Sequence, residues 1–322
     1  MDGTPMTLPT HADVLRAAAR IAPHAHVTPV LRSRSLDALA GCELHFKAEP
    51  LQRAGAFKFR GACNAVWSLE EAEARAGVVT HSSGNHGAAL ALAARTRGIA
   101  CHVVVPEGAV AAKLAAIEAY GGILHRCAPT IRAREEATVR VQRDTGATLV
   151  HSYADPRVIA GQGTAALELL NATGGLDVLV TPVGGGGLAS GCSLALSGLA
   201  PACELLLAEP AGAADTARSL AAGRPELDFV PDTICDGLRA TLGAPGFELL
   251  RAYGARVAVV EDDDTLDALR LLSSRLKLVV EPSSAIAFAA VLQQRERLAG
   301  KRVGVVLSGG NVDLGTLAQW IR

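Results

Sequence analysis

Val178-Leu179-Val180-Thr181-Pro182-Val183-Gly184-Gly185-Gly186-Gly187-Leu188-Ala189-Ser190-Gly191 is the stretch whose reading decides the fold. Its first six residues are a short, mostly apolar and β-branched run, the pattern of a strand buried on both faces. Leu188–Leu196 then carries a helical pattern. The four glycines between them have no Cβ, so their backbone can close around an anion. N–H groups at the helix start attract such a charge.

Similar runs lie on both sides. Val103–Val105, Leu205–Ala208 and Val303–Leu307 read as further buried strands. Helical patterns occupy Ala88–Thr96, Ala112–Tyr120, Ala133–Arg143, Gly163–Leu170, Leu266–Leu276 and Ala285–Leu298. This alternation predicts an α/β fold of mostly parallel sheets flanked by helices. Glycine gathers at three strand ends: Ser82-Ser83-Gly84-Asn85-His86-Gly87, the tetraglycine, and Ser308-Gly309-Gly310-Asn311. Ligands of open α/β sheets bind beyond the carboxyl ends of the strands, so these turns mark a site. The weakly patterned stretch Gly212–Asp236 is a second place for function.

Composition narrows the partners. The 322 residues are 49% hydrophobic and 20% charged, as a globular chain with a large core requires. A net charge of −1 and 3% aromatics give no basic or stacking surface for nucleic acid and none for an anionic membrane. Seven scattered cysteines without a CxxC pair exclude a zinc knuckle or dithiol site and read as free thiols of a reducing, cytoplasmic compartment. The N-terminal stretch has acidic and polar residues in place of the basic start and apolar core of a signal peptide, and no window is apolar enough to span a membrane.

The glycine run alone leaves the cofactor open. Gly184-x-Gly186-x-x-Ala189 fits a dinucleotide fingerprint, with Glu209 placed where a ribose-binding acid belongs. Phe57-Lys58-Phe59-Arg60-Gly61-Ala62 points elsewhere. It sets one of only five lysines between two phenylalanines, and desolvation there disfavours the ammonium and leaves a nucleophilic amine.

With FKFRGA, SSGNHG, GGGGL and SGGN in this order and spacing, the chain resembles the serine/threonine dehydratase and serine racemase family. These are fold-type II (tryptophan synthase β-like) pyridoxal 5′-phosphate enzymes. The likeness runs from about Thr28 to Leu314. It implies that Lys58 forms the Schiff base to the cofactor and moves the α-proton of the substrate. Phe57 flanks it. Gly184, Gly185, Gly186, Gly187 and Leu188 match the phosphate cradle, and Asn85 the residue that bonds the cofactor 3′-hydroxyl. Ser82, Ser83, Asn85 and His86 match the loop that receives the substrate carboxylate, and Ser308 the partner of the ring nitrogen. A neutral hydroxyl there cannot hold the ring protonated as a carboxylate does, which favours β-elimination over transamination.

By the same resemblance, Ser83 is either a second acid–base group facing Lys58 across Cα, as racemisation needs, or a binder of the carboxylate. Glu209, the Ala213 carbonyl and Asp215 match a divalent-cation loop with oxygen ligands suited to Mg²⁺ or Ca²⁺. The alternative for this pair is a strand-end acid and a helix N-cap at Asp215. Glu281 matches a residue near the ring, or is a helix-start carboxylate. Two departures stand out. Ala56 replaces the usual serine, and His151-Ser152-Tyr153 replaces His-Pro-Phe or His-Pro-Asn, which puts Tyr153 in the substrate pocket.

The expectation is therefore a larger cofactor-binding domain of residues 1–70 and 148–322 and a smaller one of 71–147 that closes over the substrate. The activity implied is conversion of L-serine, L-threonine or threo-3-hydroxyaspartate to a 2-oxo acid and ammonia. Racemisation of serine or aspartate is the alternative. A sensor without turnover and an NAD-dependent oxidoreductase are more distant. The small-molecule partner is an amino acid, and the resemblance implies a homodimer.

Overall fold

A computed structural model describes residues 7–321; the first six residues of the N-terminal stretch read above lie outside it. Ten strands among the described residues form two sheets. The larger joins β1 (Val30–Leu31), β2 (Glu43–Ala48), β7 (Val178–Pro182), β8 (Glu204–Pro210), β9 (Arg256–Val260) and β10 (Arg302–Leu307) in the order β1-β2-β10-β7-β8-β9. Only the β1–β2 pair is antiparallel. The smaller sheet is parallel throughout and orders β3 (Val78–Thr80), β4 (Cys101–Pro106), β5 (Gly122–Cys127) and β6 (Thr148–Leu149) as β5-β4-β3-β6. Its last strand is drawn from just past the 147/148 division, where two residues are too short to read as a strand.

All four strands read from sequence are present, each extended or trimmed by a residue or two. The missed strands are short or carry charge on one face. β5, for example, is Gly-Ile-Leu-His-Arg-Cys. The six helical patterns are present as well, but Ala285–Leu298 divides into Pro282–Gln293 and Arg295–Leu298 at Gln294. No helix among the described residues is long and apolar enough to cross a membrane. All seven cysteines are unpaired.

The helix Lys58–Trp67 is buried from Phe59 through Val66, its polar residues Arg60 and Asn64 included. It packs against the helix Pro156–Thr173 at glycine-only distance: a Cβ on Gly161 would lie 2.6 Å from Gly61 Cα. Between these two helices and β2 runs a buried ionic network. Arg60 donates to both oxygens of Glu49 (2.7 and 2.9 Å) and both of Glu168 (2.7 and 2.8 Å). Lys47 donates to Glu168 Oε2 and to the Thr28 carbonyl, each at 2.6 Å. The helix that begins at Lys58 is thereby fixed in rotation as well as in place.

Candidate active site

Lys58 is positioned by two chain segments more than two hundred residues apart. Phe57 N donates to Ser308 O and Gly310 N to Gly55 O, both at 2.9 Å, with Ala56 and Gly309 bridged between them. Gly55 has φ +71°, and a Cβ there would meet the Asn311 side chain at 2.3 Å. Only glycine fits. Lys58 then opens its helix with Nζ 5.0 Å from the Phe57 ring centroid, donating to Ser152 O at 3.1 Å. Burial lowers its pKa to about 8, while the charge of Glu281 pulls the other way. One of the two expected aromatic neighbours does not take part. Phe59 is wholly buried in the core around the small sheet, with Arg53 over its ring. Residues i and i+1 of a helix point in different directions, so Phe57 alone flanks the amine.

Across the site, the N–H groups of Gly184 through Leu188 have no hydrogen-bond acceptor among the described residues. Buried N–H groups are nearly always satisfied, so five in a row at a helix start form a receptor for an anion. A Cβ on Gly185 would lie 2.4 Å from the Tyr153 ring, and Gly186 has φ +88°. This cradle and the low-pKa lysine fit the phosphate and aldehyde of pyridoxal phosphate. Tyr153 packs on the glycine loop itself, against Gly185, Gly187 and Gly243.

A second row of unspent N–H groups runs through Ser82–Gly87 at the start of the helix Asn85–Arg97, which has no side-chain cap. Ser82 and Ser83 are partly exposed there. Asn85 Nδ2 donates to both Glu281 oxygens at 3.1 Å, and its Oδ1 accepts from Asn311 Nδ2 at 3.0 Å. His86 departs from the expectation. Its imidazole is buried and its Nε2 bonds Val150 O at 3.2 Å, leaving Nδ1 without a partner. Burial and the nearby Lys58 charge depress its pKa to about 3, so the ring is neutral. What His86 can offer a ligand is its backbone N–H.

Ser308 is buried and donates to Ser283 O at 3.3 Å. Glu281 precedes the helix Pro282–Gln293, and burial raises its carboxyl to about 7. Three further groups lie near the site, of which only His151 stands in a motif read from sequence. His81 and His151 meet edge to face at 5.2 Å, and His151 Nδ1 accepts from Ala154 N at 3.1 Å. Burial and His81 hold His151 neutral, with a pKa of about 4. Arg134 is charged close enough to His81 and Tyr153 to bias the ionisation of both, and its buried Nε has no partner among the described residues. It sits on a helix with Arg132, Arg140 and Arg143, and nothing in the sequence sets it apart from them.

At the expected cation loop, Glu209 accepts from Thr216 N (2.7 Å) and Ala217 N (2.9 Å). The helix cap is therefore Glu209 and not Asp215, which lies inside the helix and accepts from Leu242 N at 2.7 Å. With its carboxylate taken up in this way, Glu209 is not free for a ribose, and the dinucleotide reading loses its acid. Asp215 Oδ1 is a buried oxygen without a partner, beside the Ala213 turn. Burial pushes the Asp215 carboxyl up and that of Glu209 to about 7. Among the described residues no group of three or more His, Cys, Asp or Glu side chains is arranged for a metal. The two carboxylates and a carbonyl fit a hard cation only with water completing its shell.

The sequence pattern of the family described as "Pyridoxal-phosphate dependent enzyme" matches residues 21–309. The chain is 46% identical to a β-hydroxyaspartate dehydratase of Paracoccus denitrificans over 97% of this chain and 99% of that one. It is 47% identical to a serine racemase of Arabidopsis thaliana over 95% of each. The solved structure of maize serine racemase superposes with a TM-score of 0.94, at 44% identity over 97% of both chains. With the lysine, the glycine cradle and the two-sheet frame in one arrangement, the chain belongs to the pyridoxal-phosphate dependent enzyme family.

Proposed function

We propose that this protein dehydrates and deaminates a 3-hydroxy amino acid with a second carboxylate, of the threo-3-hydroxyaspartate kind, to a 2-oxo acid and ammonia. The observation that carries the choice of substrate is Arg134, a cation without a partner at the edge of a site that already has one carboxylate receptor at the Asn85 helix start. L-Serine and L-threonine have no charge to give it. The relative named β-hydroxyaspartate dehydratase supports the same choice.

Bound pyridoxal phosphate supplies electron withdrawal from Cα of the attached amino acid. The chain supplies the rest. N–H groups of Ser82–Gly87 orient the α-carboxylate, and Asn85 is held by Glu281 and Asn311 at the cofactor edge. Lys58, with a pKa of about 8, takes the proton from Cα, and the Ser152 carbonyl steadies its Nζ. Ser308 offers the ring nitrogen a neutral hydroxyl. The body built on the four-stranded sheet closes over the substrate and excludes water. Racemisation is a second reading: the Ser83 side chain is partly exposed and makes no hydrogen bond among the described residues, as an acid–base group on the far face requires. The unpaired cysteines suit the cytoplasm.

Lys58→Ala should abolish the visible absorption of the purified protein and its turnover while leaving the fold intact. Cofactor uptake by the wild-type apoprotein should speed up as pH rises and level off above about 8, because only the neutral amine reacts. In the same preparations, Ser83→Ala should lose solvent-deuterium incorporation into the D-enantiomer and keep elimination from the L-substrate. Turnover surviving in Lys58→Ala would remove the catalytic assignment, and a wild type that never forms the D-enantiomer would remove the racemase reading.

Arg134→Gln tests the substrate. A hydrogen bond to a charged group is worth about 1.5–3 kcal/mol, so kcat/KM for threo-3-hydroxyaspartate should fall about 10- to 100-fold. That for L-serine should barely change. Equal losses on both substrates would show that Arg134 does not read the second carboxylate.

Mg²⁺ or Ca²⁺ at Glu209, Ala213 and Asp215 would relieve the unpartnered Asp215 oxygen. Chelation should then lower Tm and activity, and either ion should restore them, because a ligand of the native state stabilises it. Unchanged Tm and rate after metal stripping would leave Glu209 as a helix cap only.

A homodimer is supported by the exposed apolar residues Val27, Leu51 and Val279. Light scattering of the holoenzyme should give twice the chain mass; a single-chain mass would refute it.

A further inference from the structure

A cavity of about 220 Å³ lies between the helix His11–Ile21, the Lys58–Trp67 helix and the Pro156–Thr173 helix, outside the site described above. Its wall carries three arginines, Arg16, Arg20 and Arg157, against one carboxylate, Asp13. Arg16 pairs with Asp13, and Arg157 pairs with Asp155 at 2.6 Å. Arg20 has no carboxylate partner among the described residues. Its Nη1 donates to Asn64 Oδ1 at 2.6 Å, while Asn64 Nδ2 donates to the Arg157 carbonyl at 2.7 Å. Asn64 is buried and its amide is fully oriented by these two bonds, so it holds the Arg20 guanidinium in place at the cavity wall. A guanidinium has five N–H donors, and this one spends a single one on the protein.

We propose that this cavity binds a small phosphate-bearing anion, gripped by Arg20 with Arg16 and Arg157 beside it. The rigid fork of arginine matches phosphate oxygens in pairs, and with Asp13 on Arg16 and Asp155 on Arg157 the charge of Arg20 is left over at this wall. The position gives the site a consequence. Asn64 belongs to the helix that begins with Lys58, and Ser68 caps its end. Arg157 opens the helix that follows the Ser152 carbonyl, the acceptor for Lys58 Nζ. An anion held between them braces both elements that place the catalytic amine, so its occupancy regulates the enzyme from behind the site.

The test uses the holoenzyme, whose glycine cradle is already filled by cofactor and so cannot take up added phosphate. Inorganic phosphate and glycerol 3-phosphate are titrated separately by calorimetry and by thermal unfolding, with sodium chloride at matched ionic strength as reference. Saturable binding with a rise in Tm is expected for at least one of the two. Tighter binding of inorganic phosphate would assign the free ion, and tighter binding of the ester a phosphorylated metabolite. Arg20→Gln should weaken binding at least about tenfold, as loss of a charge-assisted hydrogen bond does. Arg16→Gln, a change at an exposed side chain that leaves the fold undisturbed, should weaken it less. The proposal fails if chloride reproduces the effect, if neither anion binds, or if both variants bind as the wild type does.

Discussion

Arg60 is the largest fully buried side chain among the described residues, and the active site hangs on it. Two cations, Arg60 and Lys47, meet two carboxylates, Glu49 and Glu168, so the formal charges cancel inside the protein. A buried pair of this kind adds little net stability over an apolar replacement, yet removing one partner costs about 3–5 kcal/mol because the others are left uncompensated. Its contribution is geometric. The bidentate contacts admit one rotation of the helix carrying Arg60, and Lys58 stands two residues before it. A slip of one residue would turn Lys58 about 100° away from the glycine cradle.

The charge pattern of the site follows from the same economy of water. His86 and His151 lie too deep to protonate near neutrality, while burial brings Lys58 down to about 8. Fixed positive potential comes from the pair of helix starts and Arg134. The tetraglycine, the Asn85 helix start and Arg134 thus offer that potential at three separate places. Tyr153 closes one side of the glycine loop by packing on Gly185 and Gly187.

Sequence legibility divided along physical lines. The central strands and the glycine turns could be read because continuous β-branched runs and Cβ-free loops have few other uses. FKFRGA identified the family, yet the helix it opens is not among the patterns read from sequence; it buries polar Arg60 and Asn64 along with its apolar residues. The division of labour between Glu209 and Asp215 was misassigned because a cap is decided by which carboxylate reaches the free N–H groups, and the strand end reaches them across the turn. The SSGNHG motif places His86 in its loop but does not show that the ring turns inward to Val150. Arg134 shows the limit most plainly. Its importance rests on having no partner, which is a property of the surroundings and not of the residue.

The last long strand, β10, enters the middle of the larger sheet, between β2 and β7, and its end pairs with the chain just before Lys58. On a ribosome this means that all the residues before Arg302 can exist with the centre of the main sheet missing and the lysine segment unanchored. Such non-local closure is slow and leaves strand edges open to association. Insertion of β10 is thus the event that anchors the segment before Lys58. Until then the burial that lowers the Lys58 pKa is not in place, so the amine stays an ordinary lysine.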